Sequence, residues 1–234
     1  MYESLGNLLR DVSDYAADLV DLSVSTDTVF CRSLVTEGYL TQEQLCHAAG
    51  RYRLGRTTDG AVVFWEIDEQ QCIRDGKLMY YLDNCHRDKN RHASWVSACL
   101  KNKGSIPDVL DPKRCLFGLH LLGDLQQGDS VAIVESEKTA IICSELYTHS
   151  IWLASGGLTM LNASKLYPLR DCRIVLFPDT DETGKTYQQW KEVADTAQEF
   201  CKYPIRVSPI LELHATPDQK QRKIDLVDYL YENP

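Results

Sequence analysis

Residues 131–147 read VAIVESEKTAIICSELY, a short unbroken apolar strand followed by a helix. The same pattern recurs three times, in SIWLAS at 150–155, CRIVLFPD at 172–179 and PIRVSPI at 204–210, each followed by a helical segment. Strands that alternate with helices through short connections form parallel sheets with helices on both faces. The sequence after Gly128 therefore predicts an α/β fold with a parallel, four-stranded sheet.

The first half of the chain predicts a smaller subdomain of mixed α/β structure. An amphipathic helix is expected over residues 2–20, a second helix from Thr26 to Glu37, and a third after Thr41, which forms a capping box with Gln44. A strand hairpin is expected at 61–67 and 77–82, with long basic loops over 83–113. The predicted domains are residues 1–128 and residues 129–234.

Bulk composition indicates a globular protein, because 44% of the 234 residues are hydrophobic and 25% are charged. No apolar run is long enough to cross a bilayer, and the acidic N-terminus is unlike a signal peptide. The nine cysteines include no Cys-x-x-Cys pair, which argues against a zinc ribbon and favours buried free thiols in a reducing compartment. A cytoplasmic protein without membrane partners is expected.

Charge is unevenly distributed along the chain. The formal net charge is −9, which argues against a protein that coats DNA. Residues 1–73 hold 5 basic and 12 acidic side chains, whereas residues 74–114 hold 9 basic and 5 acidic ones. The positive stretch is either a phosphate-binding surface or a solvated face of mixed charge.

Three acidic residues follow predicted strands. Glu135 closes the first strand of the parallel sheet, Asp179 closes the third, and Asp181 lies two residues later. Sites in open α/β sheets form at the carboxyl ends of strands, and converging carboxylates are reconciled by a hard cation such as Mg²⁺. Alternatively, Asp181 and Glu182 stabilise the start of the helix near Thr183.

The order and spacing of VAIVESEKTA, LASGGLT and IVLFPDTDETGKTY resemble the toprim domain of bacterial primases, topoisomerases and some nucleases. The resemblance covers roughly residues 129–230. It implies that Glu135, Asp179 and Asp181 are catalytic and hold Mg²⁺ or Mn²⁺. The upstream hairpin, basic loop and RCLFGLHLL are similar to the segment before toprim in DnaG-type primases, and toprim proteins of bacterial mobile elements look closest.

The chain departs from the toprim pattern beside the first glutamate. Many family members carry an aspartate four residues after it, where this chain has Thr139. A later acidic pair of primases corresponds to Asp225 and Asp228, although Asp225 alternatively caps the last helix. One acidic position of the primase site is therefore missing.

Basic side chains in the first half are candidates for nucleic-acid contacts. Arg74 and Lys77 loosely match residues that primases use near the nucleic acid or the incoming nucleotide. Lys89 and Arg91 follow in the basic loop, close to Trp95. Basic side chains beside an aromatic ring suit a single strand, although Trp95 alternatively anchors the core.

Two lysines near the acidic residues are further candidates for phosphate contacts. Lys138 starts the helix after Glu135 and either neutralises a phosphate or pairs with Glu145. Lys185 either contacts phosphate or is a solvated helix lysine.

The resemblance implies metal-dependent phosphoryl transfer on nucleic acid, most specifically primase-like nucleotidyl transfer. Asp179 and Asp181 would hold the metal, and Glu135 would complete its shell or act as general acid and base. The expected partners are single-stranded DNA or RNA, nucleotides, and a helicase or another replication protein. The alternatives are a toprim nuclease and a non-catalytic nucleic-acid-binding accessory protein.

Overall fold

The computed structural model describes residues 20–21, 24–102, 113–126, 129–157 and 159–233. The chain divides into two compact units, Met1–Leu121 and Leu122–Pro234. The boundary expected between residues 128 and 129 stays a prediction. Within the described stretches, no helix is both long enough and apolar enough to span a membrane.

The first unit contains the second and third predicted helices, whereas residues 2–19 of the first predicted helix lie outside the described residues. Helix α1 spans Val29–Thr36 and helix α2 spans Gln42–Tyr52. Thr28 caps α1 through a hydrogen bond that its hydroxyl accepts from the Cys31 backbone. The capping box predicted for α2 is confirmed, because the side chains of Thr41 and Gln44 accept hydrogen bonds from each other's backbone N–H groups.

An antiparallel sheet forms the centre of the first unit. Its five strands are adjacent in chain order. They are β1 Val20–Asp21, β2 Gly55–Thr57, β3 Val62–Ile67, β4 Ile73–Met79 and β5 Ser94–Trp95.

The hairpin of β3 and β4 has a tighter turn than the sequence predicted. The Asp68 carboxylate accepts hydrogen bonds from the backbone N–H groups of Gln70 and Cys72, at 2.9 Å each. These bonds close the turn directly after β3. Strand β4 therefore begins at Ile73 instead of residue 77.

A helix, α3 at Val96–Asn102, occupies part of the region predicted as loops. The buried Asp75 carboxylate accepts hydrogen bonds from the backbone and the hydroxyl of Ser97 at the start of this helix. The helix is thus fixed by an acceptor on a distant strand, which local periodicity does not reveal. Residues 103–112 of the predicted loop region lie outside the described residues.

The second unit is built on a parallel sheet of four strands. The strands are β6 Ser130–Val134, β7 Ser150–Ala154, β8 Ile174–Phe177 and β9 Arg206–Val207. Their order is β7-β6-β8-β9, and every neighbouring pair is parallel. The predicted α/β fold of the toprim type, preceded by a mixed α/β unit, is confirmed.

Helices connect these strands and cover the sheet. The helices are α4 Glu137–Leu146, α5 Ala163–Leu166, α6 Lys185–Ala197, α7 Ile210–His214, α8 Pro217–Arg222 and α9 Leu226–Glu232. The chain moves in one direction across the sheet from β6 to β7, and in the opposite direction from β7 to β8 and from β8 to β9. Because crossovers between parallel strands are right-handed, α4 lies on one face of the sheet, and α5 and α6 lie on the other. Consistently, α9 packs against α4, and α5 packs against α6.

The last strand is shorter than the predicted PIRVSPI. Only Arg206–Val207 pairs with β8, and helix α7 begins at Ile210. Pro204 and Pro209 flank the strand, and proline has no N–H group to extend a ladder. The prolines thus confine β9 to the residues between them.

The sheet of the second unit carries much of its buried core. Val131, Ile133 and Leu153 are completely buried on the strands, and Trp190 of α6 is 1% exposed. All nine cysteines lie in the described residues and carry free thiols, but the predicted burial holds only for Cys31, Cys85 and Cys143.

Candidate functional site

The carboxyl ends of β6 and β8 lie side by side. Val134 at the end of β6 is paired with Phe177 at the end of β8. Glu135 directly follows the first of these residues, and Asp179 comes two residues after the second. The chain leaves β6 and β8 toward opposite faces of the sheet, and such a switch point is where open α/β sheets bind ligands.

The Asp179 carboxyl is influenced by the charges of three other carboxylates. Burial raises the pKa of this carboxyl well above its usual value, and the charges of Glu135, Asp225 and Asp228 raise it further. The ammonium group of Lys138 opposes these effects. Residues from three separate parts of the second unit therefore share one electrostatic environment. The predicted pair of Glu135 and Asp179 belongs to it.

Lys138 lies among these acids as their counter-charge. Its Nζ atom is 3.6 Å from Asp225 Oδ2 and 3.6 Å from Asp228 Oδ1, and its side chain is only 12% exposed. The two predictions made for Lys138 from the sequence were a phosphate contact and an ion pair with Glu145. The observed ion pairs make Lys138 part of the acidic site, and its predicted phosphate contact stays a prediction.

Asp225 and Asp228 have two functions at once. They form a capping box at the start of α9, in which Asp225 Oδ1 accepts a 2.8 Å hydrogen bond from the Asp228 backbone. The other Asp225 oxygen accepts a 2.6 Å hydrogen bond from the hydroxyl of Thr139. Burial and the neighbouring Asp225 charge raise the pKa of Asp228. The two interpretations offered for Asp225, a helix cap and a member of the site, both describe its contacts.

Asp181 has a different environment from Asp179. Oδ1 accepts hydrogen bonds from the backbone and the hydroxyl of Thr183, at 2.7 and 2.6 Å, and Oδ2 accepts one of 2.7 Å from the Thr186 backbone. Burial alone raises the pKa of Asp181, but these hydrogen bonds outweigh it and hold the pKa below its usual range. The alternative interpretation, a carboxylate that stabilises the helix start, is confirmed for Asp181, and its role as a metal ligand stays a prediction.

Glu212 is a further acid beside this loop that the sequence analysis did not identify. Its Oε1 atom accepts a 3.2 Å hydrogen bond from the Thr180 hydroxyl, and its Oε2 atom is 3.5 Å from Lys220 Nζ. The side chain also lies over Gly184, whose φ of +68° is readily adopted by glycine. Glu212 belongs to the unpredicted helix α7, so no strand-end pattern marked it.

The donor atoms at this edge suit a hard cation, because they are carboxylate and hydroxyl oxygens. Among the described residues, no group of three or more His, Cys, Asp or Glu side chains is close enough to hold a metal ion. Mg²⁺ usually takes one or two carboxylates and completes its shell with water and substrate phosphates. Glu135 and Asp179 fit that mode of binding.

Two predicted nucleic-acid ligands of the first unit are engaged with neighbouring side chains. Arg74 forms an ion pair with Asp68, at 2.5 Å. Arg91 forms an ion pair with Asp59 at 2.8 Å, and its guanidinium lies 3.3 Å from the centre of the Tyr80 ring. Each guanidinium group is thus held by a carboxylate of the same unit. A phosphate bound by either arginine would therefore lie close to that carboxylate.

The three other predicted lysine ligands lie on separate elements. Lys77 is partly exposed on β4, Lys89 is exposed after it, and Lys185 is the exposed first residue of α6. Trp95 lies on β5, where the Arg114 guanidinium is 4.1 Å from its ring. The predicted phosphate contacts of these residues stay predictions.

A parallel sheet with acids at its carboxyl edge defines a toprim-type α/β protein. The chain belongs to the family described as a domain of unknown function, DUF6371, whose match spans residues 29–180. No curated protein matches the chain.

Solved structures similar to this chain include two primases. The primase fragment of the bacteriophage T7 primase-helicase protein is 20% identical, with a TM-score of 0.42, and the match covers 69% of this chain and 59% of that one. The Aquifex aeolicus primase, with its zinc-binding and RNA polymerase domains, is 13% identical with a TM-score of 0.44, and the match covers 99% of this chain and 58% of that one. The chain therefore spans less than two thirds of either fragment.

Proposed function

We propose that the second unit performs metal-dependent phosphoryl transfer on nucleic acid, as a primase-like nucleotidyl transfer. The observation that carries the proposal is the position of Asp179, two residues after the central strand β8, where the charges of Glu135, Asp225 and Asp228 raise the pKa of its carboxyl. Carboxylates that raise each other's pKa values lower stability at neutral pH. Such groups concentrate at functional sites, where a bound cation or substrate offsets the repulsion.

Each residue of the site has a distinct task in this proposal. Asp179 would supply carboxylate oxygens to Mg²⁺ or Mn²⁺, and the bound metal would neutralise the reacting phosphate and favour deprotonation of the attacking hydroxyl. Glu135, next to the strand end and partly exposed, would either complete the metal shell or accept the proton of that hydroxyl. Asp181 holds the loop that follows Asp179 in place through its hydrogen bonds.

Lys138 and its partners set the charge around Asp179. The lysine compensates Asp225 and Asp228, so that Asp179 faces a smaller net negative charge. The Thr139 hydroxyl fixes the orientation of Asp225 by donating to it. Thr139 occupies the position where many toprim proteins carry an aspartate, and from there its hydroxyl orients another acid, Asp225.

The partners included in this proposal are single-stranded DNA or RNA and nucleotides, with a helicase or another replication protein as a protein partner. The first unit would contact the strand through the side chains predicted for that purpose. They are Arg74, Lys77, Lys89 and Arg91.

The test is incorporation of labelled ribonucleotides on a single-stranded DNA template, with Mg²⁺, with Mn²⁺ and with neither. Glu135→Gln and Asp179→Asn are each expected to lower incorporation at least about 100-fold, the usual scale for an acid–base group. Asp195→Asn, an exposed change on α6, is the control. Equal incorporation by Asp179→Asn and the control would contradict the proposal, and strand cleavage without incorporation would replace it with a nuclease.

A further inference from the structure

A cavity lies at the amino-terminal edge of the parallel sheet, where β6, β8 and β9 begin. Its volume is about 520 Å³, and its lining includes Ser130, Arg173, Tyr203, Pro204 and Arg206. This volume falls in the range that binds nucleotide-sized ligands, roughly 300–1,000 Å³. No acidic side chain is among the described residues that line it.

The cavity is separate from the acidic site. Strand β6 runs from Ser130, on the cavity wall, to Val134, directly before Glu135. A strand advances about 3.3 Å per residue, so the two places are on the order of 16 Å apart along the sheet. The cavity is therefore a second feature of the same sheet.

The cationic side chains at and beside the cavity form no ion pairs with the described residues. Arg173 and Arg206 line the cavity, and Lys202 lies next to the Tyr203 ring of its lining. All three are exposed, and no Asp or Glu of the described residues forms an ion pair with any of them. By contrast, Arg222 in the same unit pairs with two carboxylates, at 2.9 and 2.7 Å. In a chain of net charge −9, three neighbouring cations without carboxylate partners indicate an anionic ligand.

An aromatic ring lies among these cations. The Arg173 guanidinium is 5.6 Å from the centre of the Tyr203 ring, and Lys202 Nζ is 5.4 Å from it. The Tyr203 ring thus attracts both cations, of which Arg173 lines the cavity and Lys202 lies beside it.

The loop that carries Tyr203 is held in place by one side chain. Gln198 Nε2 donates to the carbonyl oxygens of Cys201 and Tyr203, at 3.2 Å each, and Gln198 Oε1 accepts a 2.9 Å bond from the Ile205 backbone. The loop is thereby fixed before any ligand arrives, which lowers the entropy cost of binding.

We infer that this cavity binds nucleotide phosphate, with Arg173 and Arg206 as the main ligands of the phosphate oxygens. Arginine suits this task because its planar guanidinium donates two parallel hydrogen bonds to one phosphate. The phosphate belongs either to a nucleic-acid strand or to a free nucleotide. The choice of nucleotide over other phosphate compounds rests on the proposed function.

The experiment measures fluorescence anisotropy of a labelled single-stranded DNA of about 12 nucleotides, within the usual size of a single-strand site. It is run without divalent metal and over a salt series. The variants are Arg173→Glu and Arg206→Glu, and the control is Lys191→Glu, an equal charge change on an exposed residue of α6 outside the cavity.

Each arginine variant is expected to bind the strand at least about tenfold more weakly than wild type. Its salt dependence should be shallower by about one unit of slope, because one phosphate contact is lost. Lys191→Glu should change affinity by less than about twofold, since it removes no contact. Arg206→Lys keeps the charge but loses the paired hydrogen bonds, so its affinity should lie between those of wild type and Arg206→Glu. Equal thermal midpoints will show that the fold is intact.

A competing nucleoside triphosphate distinguishes the two sources of phosphate. Displacement of the labelled strand from wild type assigns the cavity to free nucleotides, and lack of displacement assigns it to the strand. Equal binding by Arg173→Glu, Arg206→Glu and Lys191→Glu would overturn the inference. Tighter binding of poly-glutamate than of DNA, lost in both arginine variants, would overturn it in favour of an acidic protein partner.

The outcome is independent of the acidic site, because Glu135 and Asp179 are unchanged and no metal is added. If the proposed function fails, incorporation will be absent while strand binding still depends on the arginines. If the cavity inference fails, Arg206→Glu will bind as Lys191→Glu does, whatever the incorporation assay gives.

Discussion

Asp179 and Asp181 are two residues apart in the chain, and their environments shift the pKa values of their carboxyls in opposite directions. Asp179 is partly buried, and burial together with the charge of Glu135 favours the protonated acid. Asp181 is buried, but it accepts hydrogen bonds from Thr183 and Thr186, which favour the carboxylate. The first carboxylate lowers stability at neutral pH, and the second raises it.

The change Asp179→Asn should increase the free energy of unfolding at pH 7 by about 1 kcal/mol, the size of a typical single-site effect. Because the folded-state pKa lies above the ordinary 3.8, the stability that protonation contributes is complete below pH 3.8 and is lost as pH rises through the raised value. Urea unfolding between about pH 4 and pH 8 measures this loss, which the variant should lack. Asp195→Asn, an exposed change, should keep the wild-type profile.

Asp181→Asn should have the opposite sign and lower the free energy of unfolding at pH 7 by about 2 kcal/mol, because charge-assisted hydrogen bonds are weakened. The lowered pKa means that this stability is present above pH 3.8 and is lost as pH falls toward the folded-state value. The difference between variant and wild type should therefore shrink in acid. A variant as stable as wild type at pH 7 would show that the loop does not depend on this carboxylate.

Thr139→Val tests the hydroxyl that stands where many toprim proteins have an aspartate. Valine matches threonine in shape but cannot donate to Asp225 Oδ2, so a mostly buried carboxylate loses a 2.6 Å hydrogen bond. The free energy of unfolding should fall by roughly 1–3 kcal/mol. The companion change Ser144→Ala removes a buried hydroxyl of the same helix that donates only to the Ile141 backbone, and it should cost less. Chemical denaturation of both variants decides the comparison.

Gly76 and Gly50 form a matched pair in the first unit. A Cβ atom at Gly76 would lie 2.8 Å from the Trp65 ring and 2.9 Å from Val96, whereas one at Gly50 meets nothing within 4 Å. Gly76→Ala should therefore destabilise the protein by roughly 1–3 kcal/mol through overpacking. Gly50→Ala, in helix α2, should stabilise it by up to about 1 kcal/mol. Thermal melting checks both signs, and a neutral Gly76→Ala would show that Trp65 can move aside.

The parts of the fold that the sequence predicted are those with strong local signals. Thr41 and Gln44 are three residues apart and specify a helix start by themselves. The apolar runs that end at Glu135 and Asp179 specify strands, and their parallel pairing brings the two acids to one edge. The order and spacing of the elements were therefore sufficient to predict the parallel strands and the edge of the sheet at which Glu135 and Asp179 lie.

The parts that were missed depend on contacts between distant residues. The bond from Thr139 to Asp225 joins positions 86 residues apart, and no pattern near either residue announces it. Helix α3 starts where Asp75 meets Ser97, 22 residues away. Two interpretations of Asp181 stayed open, because the sequence does not show whether its carboxylate oxygens point toward the carboxyl edge of the sheet or toward the start of the next helix.

The central place of β6 sets the order in which the second unit can fold during synthesis. This strand leaves the ribosome before both of its neighbours, and its second partner, β8, begins at Ile174. Parallel strands cannot pair until the intervening chain has been made, so such sheets have high contact order and fold slowly. Asp225 emerges later still. The acidic residues thus come together only after Asp225 has been synthesised, and nascent chains that stop before β8 leave one edge of β6 unpaired.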